Sequence, residues 1–240
     1  TFGDGQQLFA TLFRGNKAFF VTYQRQDPFH AFEITDEGDA IEHSEFIVSG
    51  WNNYFKPVFD DERLIGIGQN DQGGTTMAVS LYDVSDLRNP EPLIDRDEVD
   101  ADNSWSEATW DDRAFSVLEN VVSIPVPGGA TETGLVLLPY SGWDSGHSTY
   151  ESAVQIFTFS ENTLTRRGTM QLDNPVRRSF LAEDATTGNL GEAELSFFDT
   201  SNPNSPAPLG KVVLAPNYTE VASFGDYGVR LVDNAADYSW

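Results

Sequence analysis

The apolar and polar positions of the chain alternate in short bursts, and four of these bursts share a spelling. Residues 31–36 read AFEITD, 81–86 LYDVSD, 156–161 IFTFSE and 197–202 FFDTSN. In each, an aromatic (Phe32, Tyr82, Phe157, Phe198) is followed three positions later by a hydroxyl (Thr35, Ser85, Ser160, Ser201). An acid or amide comes next (Asp36, Asp86, Glu161, Asn202). Alternation of this kind suits a half-buried strand, whose successive side chains point to opposite faces. The hydroxyl and the acid or amide then bond back to the backbone and turn the chain. In two copies prolines follow, at Pro90 and Pro92 and at Pro206 and Pro208. Proline cannot donate to a ladder and belongs at a strand start or an edge.

A tight polar turn between apolar segments also recurs, at Gly15-Asn16, Asp61-Glu62, Glu119-Asn120 and Gly225-Asp226. Each predicts a β-hairpin. No stretch keeps a 3.6-residue period for about ten residues, so helix is not expected. A hairpin followed by the recurring strand makes units of about four strands, starting near Leu8, Tyr54, Ser106, Val176 and Tyr218. The pattern predicts an all-β chain, one domain over residues 1–240, built as a β-propeller of four-stranded antiparallel blades. A large β-sandwich also strings short strands together, but the repeated register favours the propeller.

Two units look incomplete. The one at Val176 lacks a second apolar segment, because residues 182–193 read AEDATTGNLGEA, and the last holds only two strands. The ring is therefore expected to be incomplete, as in a fragment of a longer chain. An open edge is expected near residues 228–233, unless residues 1–7 or another polypeptide cover it.

Charge narrows the partners. Fourteen Lys and Arg against 38 Asp and Glu give a formal net charge of -24. Such a surface repels polyanions, so neither nucleic acid nor an acidic lipid surface is an expected partner. No apolar run approaches the ~20 residues of a membrane helix, and no membrane insertion is expected. The absence of Cys removes disulfides, thiolate chemistry and Cys-based zinc sites. The chain opens on Thr1 without a leader, which suggests a processed product.

The ordered series FRGNKAFFVTYQRQDPFHAFEITD, WNNYFKPVFDDERLIGIGQND, SLYDVSDLRNPEPL, WSEATWDDRAFSVLENVVSIPV and VRRSFL resembles a family of bacterial and archaeal secreted proteins with a β-propeller domain. The likeness covers most of residues 8–180. It implies a propeller fold and a secreted, periplasmic or cell-surface location, and it brings no known activity. Lys56 and Asp112 stand where members of that family often carry His, so no metal or acid–base role is carried over to them.

Candidate chemistry is sparse. His147 lies beside Asp144 and Ser145 in a Gly/Ser-rich loop, but the G-x-S-x-G elbow is absent. The acidic run at residues 95–107 fails the EF-hand pattern, and a solvated connection between blades is the plainer account. Asn217-Tyr-Thr219 spells a glycosylation sequon. Trp143 beside Tyr150 offers a surface for stacking on a sugar or peptide.

The basic residues are scarcer than the acids. Lys56, Arg177 and Arg178 fall on strands expected to be first in their blades, near Glu107, Asp111 and Glu220. These cations either neutralise carboxylates or hold an anion. Lys56, Glu107, Asp111, Arg177 and Arg178 are therefore the candidate ligand-binding residues, with Lys56, Glu107 and Arg178 expected to converge near the channel. No catalytic set and no resident metal set or cofactor emerge, although a structural calcium fits the acidic surface. The expected function is a non-enzymatic, secreted or cell-surface binding and scaffolding module whose partner is another protein or a glycan. The alternative is a hydrolase or lyase with its site at the axial mouth.

Overall fold

The computed structural model describes residues 7–23, 27–48, 51–70, 75–89, 91–144, 146, 148–183, 185–214, 218–224 and 227–232. The first sheet is β1 (Gln7–Arg14), β2 (Lys17–Tyr23), β3 (Asp27–Ile34) and β4 (Ala40–Val48), paired in that order and antiparallel. The second repeats this with β5 (Trp51–Val58), β6 (Arg63–Asn70), β7 (Thr76–Asp83) and β8 (Leu93–Glu98). In the third sheet the first strand is broken into β9 (Asp102–Trp105) and β10 (Ser116–Leu118), joined across a 3-10 turn at Glu107–Thr109. A small hairpin, β11 (Ile124–Pro125) with β12 (Thr131–Glu132), precedes β13 (Gly134–Trp143). Both β9 and β10 pair with β13, which is followed by β14 (Tyr150–Phe159) and β15 (Leu164–Leu172). The fourth sheet runs β16 (Val176–Leu181), β17 (Thr186–Gly191), β18 (Glu194–Asp199) and β19 (Ala207–Val213). The hairpin of β20 (Tyr218–Phe224) and β21 (Tyr227–Val232) comes last.

Three apolar cores separate the four sheets. Leu64 and Tyr82 face the first sheet with Phe19 and Phe29, whereas Ile65, Ile67, Val79 and Leu81 face the third with Val136, Leu138 and Phe157. Leu135, Leu137 and Ile156 then meet Val176 and Phe198 of the fourth. The middle strands are thus buried on both faces, which is why β6, β7 and β13 read as nearly unbroken apolar runs. Each buried large side chain contributes roughly 1.5–3 kcal/mol. Neighbouring sheets put their first strands together, β1 beside β5 and β10 beside β16.

The four aromatics occupy one repeated position. Phe32, Tyr82, Phe157 and Phe198 all lie on third strands and are buried. In every sheet the pairing of third to fourth strand slips at this aromatic, at Ala31/Phe32, Leu81/Tyr82, Gln155/Phe157 and Phe197/Phe198. Such β-bulges bend the strand and increase its twist. The turns after these strands are built as their spelling implies. Asp86 Oδ1 accepts from Arg88 N–H at 3.0 Å, Asn202 Oδ1 from Asn204 N–H at 3.2 Å, Ser160 Oγ from Asn162 N–H at 3.2 Å, and Thr35 Oγ1 from Asp39 N–H at 3.2 Å. Cations at the start of second strands latch the first sheet to the second and the second to the third. Lys17 Nζ donates to Val84 O at 2.9 Å, and Arg63 Nε to Glu161 O at 2.8 Å.

Two sequence expectations need correction. The unit at Val176 is not a strand short: β17 is its second strand, made of TTGNLG. It escapes an apolar pattern because a Cβ on Gly188 would stand 2.3 Å from the Phe180 ring, so the ring fills that space itself. Its polar members are bonded sideways, Thr187 Oγ1 to Thr200 Oγ1 at 3.0 Å and Asn189 Oδ1 from Ser179 Oγ at 2.8 Å. Nor does Glu119-Asn120 close a hairpin. Leu118 pairs with Leu135, and the intervening chain folds as the β11–β12 hairpin, closed by Gly128 and Gly129 at φ of 93° and 87°.

At the far end β21 pairs with β20, and no further strand joins them among the described residues. Ser145, His147, Asn217, the Gly225-Asp226 turn, residues 1–6 and residue 233, all singled out in the sequence, lie outside the described residues.

Candidate ligand-binding site

At the end of the third sheet where β9 begins and β13 ends, four aromatic side chains meet. Trp105 lies on β9, Trp110 just after the 3-10 turn, Trp143 at the end of β13 and Tyr150 at the start of β14. The indoles of Trp105 and Trp110 are stacked, with centroids 6.1 Å apart and planes at 16°. Trp105 Nε1 donates to Tyr150 Oη at 2.6 Å, and the Tyr150 ring meets Trp143 edge-on at 5.5 Å. Three of them are well exposed: Trp110 by 61%, Tyr150 by 47% and Trp143 by 42%.

The patch continues into an ionic group. Trp110 Nε1 donates to Glu107 Oε2 at 2.7 Å, and Glu107 Oε1 accepts from Arg177 Nη1 at 3.0 Å. Arg177 Nη2 then donates to Glu192 Oε1 at 2.6 Å. Local structure fixes each member. Ser106 caps the 3-10 turn by accepting from Ala108 N–H, which holds Glu107 in place. Arg177 sits where β16 bulges between Val176 and Arg178, an irregularity that re-aims side chains. An unbroken series of contacts thus joins Trp143, Tyr150, Trp105, Trp110, Glu107, Arg177 and Glu192.

The other candidates fall close by or apart. Asp111 bonds Arg113, accepting from its backbone N–H and its Nε at 3.0 Å each. These bonds hold its carboxyl below the usual range; burial opposes them, and the Arg113 and Arg178 charges reinforce them. Arg178 is exposed, and Glu107 pairs with Arg177 rather than with it. Lys56 lines a cleft of about 370 Å³ between the first strands of the first three sheets, with Arg14, Tyr54, Asp112 and Ser116. Lys56 and Asp112 thus share that cleft. Burial, helped by the charges of Asp112 and Asp111, raises the Tyr54 hydroxyl pKa. The side chain of Glu220 lies outside the description.

Sequence reasoning singled out Trp143, Tyr150, Glu107 and Arg177, but missed that Trp105, Trp110 and Glu192 complete the group. The signal was SWSEATW, which places two indoles either side of Glu107.

Successive four-stranded antiparallel sheets, packed face to face with their first strands together, define an all-β domain of the propeller class. The chain belongs to the beta propeller domain family, whose model matches residues 1–187. It is 32% identical over 111 residues to an uncharacterised protein of Methanocaldococcus jannaschii, covering 46% of this chain and 17% of that one. Over 114 residues it is 25% identical to an uncharacterised protein of Archaeoglobus fulgidus, covering 48% of this chain and again 17% of the other. The matched region thus spans about a sixth of each curated relative's length. Among solved structures, a "putative 6-phosphogluconolactonase" of Bacteroides fragilis aligns over 90% of this chain and 74% of its own, at 10% identity and a TM-score of 0.31. A likeness of that size says nothing about activity.

Proposed function

We propose that this domain is a binding module for neutral oligosaccharides, acting outside the cytoplasm or at the cell surface, and that its ligand lies on the Trp105–Trp110–Trp143–Tyr150 patch. The observation that carries this proposal is the continuous run from exposed rings into the Glu107–Arg177–Glu192 group. The Nε1 groups of Trp105 and Trp110 are already bonded within the protein and the two indoles stack on each other, so the ring faces turned away from that stack are what remain to offer. A ring face suits the C–H face of a sugar, an apolar body with polar edges. Beside it, carboxylate oxygens and guanidinium N–H groups can accept from and donate to sugar hydroxyls.

Neutral glycans are favoured over anionic ones by charge. Arg177 is already paired with two carboxylates, and the net charge of -24 repels uronates and sulfates. The test is tryptophan fluorescence titration with matched neutral and sulfated oligosaccharide panels. Trp110→Ala should weaken neutral binding by roughly 1–3 kcal/mol, taking base–aromatic stacking as the nearest measured analogue, with circular dichroism confirming that the variant is folded. Equal binding by wild type, Trp110→Ala and Trp143→Ala, or a preference for the sulfated panel, would overturn the proposal.

A further inference from the structure

The internal repeat supplies a control that an isolated site lacks. In each sheet the third-strand residue two before the bulge aromatic is buried and polar: His30, Ser80, Gln155 and Ser196. Its fourth-strand partners are Glu45, Arg96, Thr169 and Lys211 respectively. The aromatic itself is paired with Glu42, Leu93, Arg166 and Pro208. Directly opposed residues of an antiparallel pair project from the same face, so each sheet presents an equivalent trio. Three trios contain one cation and no acid: Arg96, Arg166 and Lys211. Two of these cations reach acids on or just after the last strand of the preceding sheet, Arg166 to Asp97 and Asp100, and Lys211 to Asp173, and Lys211 also pairs with Glu194 of its own sheet. The first sheet alone has no side-chain cation in its trio; it has His30, Glu42 and Glu45.

We infer that a divalent metal ion, of the class that takes mixed imidazole and carboxylate ligands, occupies that place in the first sheet. The three side chains each bring a ligand atom within 4.8 Å of the others. His30 is 2% exposed, and its Nδ1 stands 2.6 Å from Glu42 Oε1. The bulge opposite Ala31/Phe32 is what puts Glu42 on the same face as Glu45. Behind the imidazole, Nε2 lies 3.1 Å from Thr22 Oγ1. With Nε2–H donating there, Nδ1 keeps its lone pair on the side of Glu42, the orientation a ligating histidine receives from an outer partner. Imidazole with two carboxylates suits Zn²⁺, whereas Ca²⁺ and Mg²⁺ prefer all-oxygen sets. Three protein ligands leave a tetrahedral ion one further position, and Glu42 also lines an apolar cleft of about 330 Å³ with Phe13, Phe20 and Phe32. This site is separate from the proposed glycan patch.

The experiment is calorimetric titration of tag-free, chelator-treated protein with ZnCl₂ and, separately, CaCl₂. One saturable Zn²⁺ per chain is expected, with a raised melting temperature. Thr22→Val should weaken it by about 10–100-fold, while Glu45→Gln, an exposed position, and His30→Gln should weaken it further. Circular dichroism of each variant checks the fold. Zn²⁺ binding that survives in the Glu42→Gln/Glu45→Gln double variant, Ca²⁺ binding as tight and as dependent on His30, or no saturable binding by folded wild type would each overturn the inference.

Discussion

Glu132 is the sharpest test of how the third sheet is held. It lies on β12, fully buried, and its carboxylate accepts from Thr163 Oγ1 at 2.9 Å, Thr165 Oγ1 at 2.6 Å and Arg167 Nη2 at 2.7 Å. Thr158 Oγ1 donates to it as well, and Arg167 Nε donates to Thr158 Oγ1 at 2.7 Å. The Arg167 side chain is only 9% exposed. Removing the carboxylate by Glu132→Ala leaves that guanidinium buried without its counter-ion, which costs about 3–5 kcal/mol. Against a net stability of about 5–15 kcal/mol, that is a large share, and it lowers the melting temperature by roughly 6–20 °C. Urea unfolding with an unchanged m-value is the assay. A Glu132→Leu/Arg167→Leu double variant should lose much less than the sum of the single changes, because no charge is then left unpaired. A double variant that loses the full sum would refute the coupling.

The same group predicts a pH dependence. Burial pushes the Glu132 carboxyl up, but the hydrogen bonds from Thr158, Thr165, Arg167 and Thr163 outweigh it, so the net direction is below the ordinary value of 4.5. A carboxyl depressed in the folded state contributes stability that is present above the unfolded value and lost as pH falls through the folded one. Wild type should therefore lose stability below pH 4.5 more steeply than Glu132→Gln. Two further predictions concern backbone approach. Gly188→Ala drives a methyl into the Phe180 ring and should cost about 1–3 kcal/mol in urea, with part regained by Phe180→Leu. Gln155→Leu removes the amide that donates to Arg167 O at 2.7 Å and Gly168 O at 3.2 Å and accepts from Asp100 N–H at 3.0 Å. About 1–3 kcal/mol per orphaned group is expected, together with faster hydrogen exchange at Asp100; unchanged exchange there would refute the assignment.

How much of this was legible in the sequence follows from what each side chain contributes alone. The third strands could be read because an aromatic, a hydroxyl and an acid or amide act locally, within one strand and its own turn, and so leave a fixed spelling. β17 could not, because its space is filled by Phe180, which belongs to another strand. Periodicity sees side chains that bury themselves, not glycines that make room. The β10–β13 excursion was misread for a related reason: Glu119 and Asn120 have turn composition, yet Leu118 finds its partner only at Leu135, past a second hairpin.

The candidate sites divide along the same line. Arg177 stood out because cations are rare here and it lies at a strand start, and Glu107 as an acid near such a cation, but their pairing joins two sheets across 70 residues of sequence. Trp105 and Trp110 flank Glu107 within a few residues, yet their stacking depends on the 3-10 turn that folds the break between β9 and β10. The His30 trio needed still more, since no spacing rule marks residues 30, 42 and 45 as neighbours. Only the bulge in the β3–β4 pairing brings them to one face. The proposal for that place draws on the sister sheets, each with an arginine or lysine in the equivalent trio. That comparison makes the composition of the first trio informative, because each sister trio includes a cation, opposite the buried polar residue at Arg96 and Lys211 and opposite the aromatic at Arg166, where the first has a histidine and two glutamates.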